Sequence, residues 1–417
     1  MLVLKACRLR LEPSREDEEF LSSGCGALRF VWNWFLAQRE AFYEASSPDH
    51  KVRISRDEQI NQLPAMKEVF PWLASVPSQP LQQVLRTLDT AYQRFFDGVS
   101  DHPKFKKRGK VDPSLHFPVA PKLNGRCIYI PTWGWVKCRF SGRRPMWTMK
   151  SFTVKKVGRH WYATILEERN VIAPVHSKAT VSVGLDAGVE ESFAGSNGSF
   201  HNLRVPSEKE LRKLTQLQQR LSRCVKGSKR WYRALARYNR YRLRLADCFY
   251  DSQHKLTTAI AKNHGIVAVE DLRLVGMTAS ARGSVEAPGR NVAKKSGLNR
   301  ALLEQGIGET FRQLEYKLAW SGGTLLRVPP AGTSMTCSEC GHKAHENRPE
   351  RARFVCMACG HAAHADTNAA CNIVRLGLAM LHNPSSPDGS YGVNGARAGI
   401  LPEVPLTRQR FSRRKAA

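Results

Sequence analysis

Apolar and polar positions change period several times along the 417-residue chain, and each change predicts a new element. Residues 3–11 (VLKACRLRL) alternate, as a half-buried strand does. From residue 14 to about 98 the period lengthens to that of a helix. Leu28, Val31, Trp32 and Phe35 share one face of a first helix, and Leu81, Val84, Leu88, Tyr92 and Phe95 share one face of a second over 79–96. Rings at this spacing are read as core side chains, because they bury large areas against a neighbouring element. Residues 115–178 return to short strand-like runs broken by Pro and Gly, among them RCIYIP, RPMWTMKSFTVKKVG and HWYATILEE. The first strand and these later ones are expected to share one sheet, with the helical segment inserted between them. The weakly patterned stretch 170–178 (NVIAPVHSK) marks a domain boundary.

Beyond it, Val181, Val183 and Leu185 alternate into Asp186, and a second run with a turn at 196–198 suggests consecutive antiparallel strands. A long helical hairpin begins at Pro206. Leu211, Leu214, Leu221 and Val225 form one seam, Leu235, Tyr238, Leu245 and Phe249 the other, and 226–229 is the turn. GIVAVE at 265–270 is short, β-branched and ends in a carboxylate, which predicts a buried strand. Residues 277–297 have the Gly, Ala and Ser content of a mobile loop. One amphipathic helix is expected over 298–320, then a strand at 324–328 (TLLRV) and a helix from Asp366 to about Leu381. The turn-rich, basic segment 382–417 shows no core pattern and is expected to be largely disordered.

Charge sharpens this picture. Lys and Arg number 65 against 36 Asp and Glu, a formal +29, while 42% hydrophobic content keeps the chain in the globular class. Such an excess points to a polyanionic partner, nucleic acid first. A membrane partner is not expected: no apolar run approaches the roughly 18 residues of a spanning helix. The charged start is unlike a secretory leader. The eleven cysteines, odd in number and partly scattered, do not form a disulfide framework, which points to a reducing cytoplasm. Two basic features stand out. In the loop 102–110 (HPKFKKRGK), Lys104, Lys106, Lys107 and Arg108 are candidates for phosphate contacts. On the outer faces of the hairpin, Arg220, Arg223, Lys229, Arg230, Arg233, Arg237, Arg240 and Arg244 form a stripe with Trp231 and Tyr232 interleaved.

Candidate chemistry lies in cysteines and carboxylates. Two Cys-x-x-Cys pairs, Cys337/Cys340 and Cys356/Cys359, are separated by fifteen residues, a spacing that closes a tetrahedral zinc site. Asp186 and Glu270 end apolar strands and Asp366 opens a helix. An acid at a helix start is ordinarily a cap, whereas an acid ending a buried strand is costly without a cation nearby. If the three converge, magnesium or manganese is the natural partner, and two such ions can drive phosphodiester cleavage.

GLDAGV around Asp186, VAVEDLRL around Glu270, and the block running from LNRALLEQGIGETFRQLEYKLAWSGG to TSMTCSECG and FVCMACGHAAHADTNAACNI resemble the transposon-encoded TnpB family, relatives of the compact type V CRISPR effectors. VWNWFL at 31–36 and PKFKKRG at 103–109 are similar to that family too. The resemblance implies an α/β multidomain protein. An RNase H-like (RuvC) nuclease core would occupy 179–332 and 364–381, with a zinc ribbon at 333–363. An OB-like β domain would occupy 1–13 and 111–178, with a helical recognition lobe at 14–110. It implies Asp186, Glu270 and Asp366 as catalytic, magnesium- or manganese-binding acids, and the four cysteines as ligands of a structural zinc. It further implies a prokaryotic, nucleoid-associated RNA-guided DNA endonuclease, with a guide RNA from the transposon end and double-stranded target DNA carrying a short adjacent motif. Ala187 departs from the family's commoner Asp-Leu-Gly after the first acid. Three other readings stay open: a non-cleaving transposition accessory or regulator, a compact type V CRISPR effector, and a plain zinc-ribbon nucleic-acid-binding protein.

Overall fold

The computed structural model describes residues 1–46, 53–107, 114–140, 144–172, 174–188, 191–283 and 287–382. The chain divides into two units, the first Met1–Val171 and the second from Ile172 onward.

In the first unit the alternating N-terminal run forms β1 (Leu2–Leu11), and a Ser14/Asp17 capping box then starts α1 (Arg15–Glu44). The helical segment continues as α2 (Arg56–Asn61), α3 (Leu63–Val69) and α4 (Ser78–Phe96). Six strands follow: β2 (Leu115–Phe117), β3 (Lys122–Asn124), β4 (Cys127–Ile130), β5 (Gly134–Arg139), β6 (Thr148–Val157) and β7 (His160–Asn170). All seven strands form one antiparallel sheet in the order β2-β6-β7-β1-β5-β4-β3. β1 is thus central, and α1 to α4 are an excursion between two strands of one sheet. Leu28, Val31, Trp32 and Phe35 of α1 and Leu81, Val84 and Leu88 of α4 are buried in the core this creates. The last turn of α4 outruns that core. Half-buried Tyr92 still packs against that core, but Phe95 is 36% exposed, so its reading as a core ring is corrected.

The second unit begins with β8 (Ser182–Asp186), β9 (Phe193–Gly195) and β10 (Phe200–His201). The hairpin α5 (Glu208–Ser222) and α6 (Lys229–Asn263) follows, then β11 (Ile266–Glu270), α7 (Leu274–Met277), α8 (Val292–Glu304), α9 (Ile307–Ser321) and β12 (Thr324–Val328). A two-stranded ribbon, β13 (Arg353–Val355) and β14 (Ala362–His364), runs directly into α10 (Ala365–His382). The sheet order is β10-β9-β8-β11-β12; β8, β11 and β12 are parallel, and the β9–β10 hairpin is antiparallel at one edge. Both faces of the parallel strands are covered, which explains their nearly continuous apolar sequences. Val183, Leu185, Val267 and Val269 pack with Phe249 and Ile260 of α6 and Phe311 and Leu314 of α9. On the opposite face Ala268, Leu326 and Val328 meet Ile373 of α10.

Three expectations change here. The helix over 298–320 is two helices, broken where Gly306 takes φ +59, and α8 buries no residue of its own. α8 also begins at Val292, inside the stretch read as a mobile loop. Val225 is 79% exposed in the hairpin turn, so it is not a seam residue. The expectation for 382–417 lies outside the described residues, apart from His382.

Candidate active site

Parallel pairing puts Leu185 opposite Val269. Asp186 and Glu270 are the next residues in each strand, so they leave the same C-terminal edge of the sheet on neighbouring strands. Crevices at this edge are where open α/β sheets bind ligands. α10 brings Asp366 in its first turn, and its close crossing of β8 depends on Gly184. A Cβ at Gly184 would stand 2.1 Å from the Ala370 carbonyl oxygen.

The electrostatics at Asp186 register both other acids. Burial pushes the Asp186 carboxyl up to about 7; Glu270 and then Asp366 add like charge, while Arg348 and the Ala187 N–H oppose the shift. Burial also raises Glu270, against the hydroxyl of Thr333, which donates to Glu270 Oε1 at 2.5 Å. Asp366 has a counter-charge: Arg348 Nη2 lies 3.3 Å from its Oδ1. The same guanidinium donates to the Arg351 carbonyl at 2.6 and 3.0 Å. The donor set is all carboxylate oxygen, which suits magnesium or manganese. These oxygens do not close into a group within 4.8 Å of one another, as the four sulfurs do.

The ribbon forms a tighter centre. The sulfurs of Cys337, Cys340, Cys356 and Cys359 all lie within 4.8 Å of one another, with Cys337–Cys359 at 3.7 Å and Cys340–Cys356 at 3.5 Å. Zn–S bonds of about 2.3 Å in a tetrahedron give sulfur–sulfur edges of about 3.8 Å, so the set fits zinc. Each knuckle turns at a glycine in the left-handed region, Gly341 (φ +78) and Gly360 (φ +71), whose N–H returns to the carbonyl of Cys337 or Cys356. Cys337, Phe354 and Cys356 share a small core with Ala365, the first residue of α10. The ribbon core and the helix carrying Asp366 are therefore continuous.

The basic candidates fall on the 102–110 loop of the first unit and on the α5–α6 hairpin of the second. Trp32 Nε1 donates to the Lys104 carbonyl at 3.2 Å, and the Asn33 side chain makes two hydrogen bonds to the Lys106 backbone, at 2.7 and 3.0 Å. These contacts join the two N-terminal motifs, VWNWFL and PKFKKRG. Lys106 Nζ sits 3.5 Å from the centroid of a Trp32 ring and Lys104 pairs with Asp101 at 3.0 Å, while Lys107 is exposed. Arg108 lies outside the described residues. On the hairpin Arg220, Arg223, Lys229, Arg230, Arg233, Arg237, Arg240 and Arg244 are all exposed. Arg220, Arg223 and Arg230 line a concavity of about 380 Å³. Sequence reasoning missed Thr333 and Arg348, which reach the acids only because the ribbon folds back over the sheet edge; neither carries a spacing signal.

The fold and site define a basic α/β protein whose acidic sheet edge is joined to a four-cysteine ribbon. Residues 308–373 match the family described as "Cas12f1-like, TNB domain", and residues 164–281 match "Probable transposase". Residues 1–47 match a "Helix-turn-helix domain", although here their described part is β1 and one continuous helix, α1. The chain is 41% identical over 384 residues to "Putative RNA-guided DNA endonuclease InsQ" of Escherichia coli (strain K12), covering 91% of this chain and 93% of that protein. It is 30% identical over 388 residues to a "Putative RNA-guided DNA endonuclease" of Streptomyces pristinaespiralis, covering 90% of each. Among solved structures, the mini-RNA-guided endonuclease CRISPR-Cas_phi3 aligns with a TM-score of 0.40 and 10% identity, over 90% of this chain and 92% of that one. The chain belongs to the transposon-associated TnpB family.

Proposed function

We propose that this chain is an RNA-guided DNA endonuclease of a transposable element, cleaving phosphodiester bonds at a RuvC-like site formed by Asp186, Glu270 and Asp366. The observation that carries this reading is the convergence of three carboxylates, with Asp186 pushed up to about 7, in a chain of formal charge +29. A protein built to grip a polyanion confines negative charge where a divalent cation would neutralise it. The 41% identity to InsQ over nearly the full length supports the same activity.

In this reading the sheet of the second unit is the RNase H-like core, spanning 179–332 and 364–381. The ribbon at 333–363 is inserted before its last helix. Residues 1–13 and 111–178 are the OB-like β domain, and 14–110 the helical recognition lobe. Asp186, Glu270 and Asp366 would hold magnesium or manganese, which when bound supplies an activated water and a Lewis acid for the leaving oxygen. The protein's own residues position that chemistry. The parallel strands hold two acids side by side, α10 supplies the third, and Arg348 balances Asp366. Four thiolates fill a zinc shell and leave no open position, so the ribbon's zinc is structural. The partners are a guide RNA from the transposon end and double-stranded DNA bearing a short adjacent motif. Base pairing then reads the sequence while the protein reads the backbone and the motif.

The test is cleavage of matched plasmids carrying a randomised flanking motif, by protein purified with co-expressed flanking RNA. Magnesium-dependent cuts that vanish in Asp186→Ala are expected. Cuts that survive that substitution, or that need no divalent ion, overturn the assignment.

A further inference from the structure

Glu270 and Asp366 lie on different elements, yet one short segment touches the supports of both. Thr333 is 4% exposed, and its hydroxyl donates to Glu270 Oε1 at 2.5 Å. The alternative acceptor, the Pro330 carbonyl, is 3.2 Å away, and a hydroxyl has one proton to give. The Thr333 backbone is held in turn. Asn372 of α10, 1% exposed, donates to the carbonyls of Thr333 at 2.9 Å and Thr336 at 2.6 Å. One turn earlier on the same helix, Asn368 donates to the Thr336 carbonyl at 2.8 Å and accepts from the Ser338 N–H at 2.9 Å. Asn368 and Asn372 are two and six residues past Asp366 on the same rigid helix. A connected path of hydrogen bonds thus runs from the helix that carries one acid, through the start of the ribbon, to the carboxylate of the other.

We propose that Thr333 is a positioning residue for the cleavage site, its hydroxyl orienting the Glu270 carboxylate while Asn372 ties Thr333 to the helix that carries Asp366. The inference rests on the reading of Glu270 as a metal-binding acid. A hydrogen bond to one carboxylate oxygen restricts rotation of the group and would leave the other oxygen available to a cation. Such outer partners of metal ligands are worth about 10- to 100-fold in metal affinity. The segment also leads straight into Cys337, so the start of the zinc ribbon doubles as the brace for Glu270.

The experiment uses the full chain with its co-purified RNA. It measures Mn²⁺ affinity by electron paramagnetic resonance and the Mg²⁺ dependence of plasmid cleavage, with zinc content and thermal melts as folding controls. In Thr333→Val, Mn²⁺ affinity falls about tenfold or more and half-maximal cleavage needs correspondingly more Mg²⁺, while saturating Mg²⁺ recovers most of the rate. Thr333→Ser keeps the hydroxyl and restores both values. Thr333→Ala is the second variant should valine prevent folding, with the same loss expected. A lower melting temperature with unchanged Mn²⁺ affinity, or a serine variant as impaired as valine, overturns the proposal and leaves Thr333 a structural residue. Glu270→Gln separates the two levels. If it retains Mn²⁺ binding and cleavage, the site reading fails; if it loses both while Thr333→Val matches the unsubstituted protein, only the role of Thr333 fails.

Discussion

Asp186 illustrates how a side chain changes meaning with its surroundings. In an exposed loop it would be an ordinary carboxylate. At the end of β8 it is buried beside two further acids, and its carboxyl rises to about 7. The sign of the consequence is set by that direction. Below the ordinary carboxylate range the group is protonated whether folded or unfolded and costs nothing. As pH rises toward 7, the unfolded chain has already released its proton and the folded protein has not, so stability is lost through that window and stays low above it. In metal-free protein, Asp186→Asn is expected to melt higher than the unsubstituted chain at pH 8. The gap should narrow as pH is lowered to 5, and Mg²⁺ should close it at pH 8 by stabilising the unsubstituted chain. Thermal melts with and without chelator measure this. An asparagine variant that is no more stable at any pH would mean that the three acids do not strain the metal-free fold.

One element, α10, decides whether three separate acids become a site. It crosses β8 so closely that position 184 has no room for a side chain: a Cβ there would stand 2.1 Å from the Ala370 carbonyl oxygen and 2.8 Å from the Val374 amide. Backbone contacts of this kind cannot be relieved by turning a side chain, so the helix itself must move. Gly184→Ala is expected to cost about 1–3 kcal/mol in denaturant unfolding and to abolish cleavage, because Asp366 moves with α10. The same logic explains the helix that sequence periodicity drew as one piece. Apolar spacing continues through 298–320, but Gly306 in the left-handed region reorients α9 so that Ile307, Phe311 and Leu314 reach the sheet, while α8 buries no residue fully and lends that core its half-buried Leu302. Periodicity reports which face of a helix is apolar and is silent about a change of axis.

Over the full chain, charge dominates. An excess of 29 positive charges is costly to hold together without a polyanion, and the exposed arginines of α5 and α6 concentrate part of it on one hairpin. Binding that neutralises phosphates releases counterions, and affinity falls with salt in proportion to the contacts made. Replacing Arg230, Arg233 and Arg237 by Glu is expected to weaken RNA retention and to reduce the slope of log affinity against log salt by about 2. Filter binding over a salt series measures it, and an unaltered slope would make the stripe a merely solvated face.

Several features were legible from residue order alone because their signals are local. Two Cys-x-x-Cys pairs with a glycine after each need only short-range turns to form knuckles. Alternation into Asp186 declares β8, and short length with β-branched content declares β11. The excess of basic residues and the family resemblance also belong to the sequence. Tertiary structure decided what depends on long-range packing. It put β1 in the middle of a sheet whose other strands lie more than a hundred residues away, left Tyr92 and Phe95 at the rim of the core, and split 298–320 in two. It joined Trp32 and Asn33 to the Lys104–Lys106 backbone, and brought Thr333 and Arg348 against Glu270 and Asp366. The physical reason is the same throughout: turns, caps and periodicity are properties of neighbouring residues, whereas the field at a carboxylate and the room beside a glycine belong to whatever the rest of the chain packs against them.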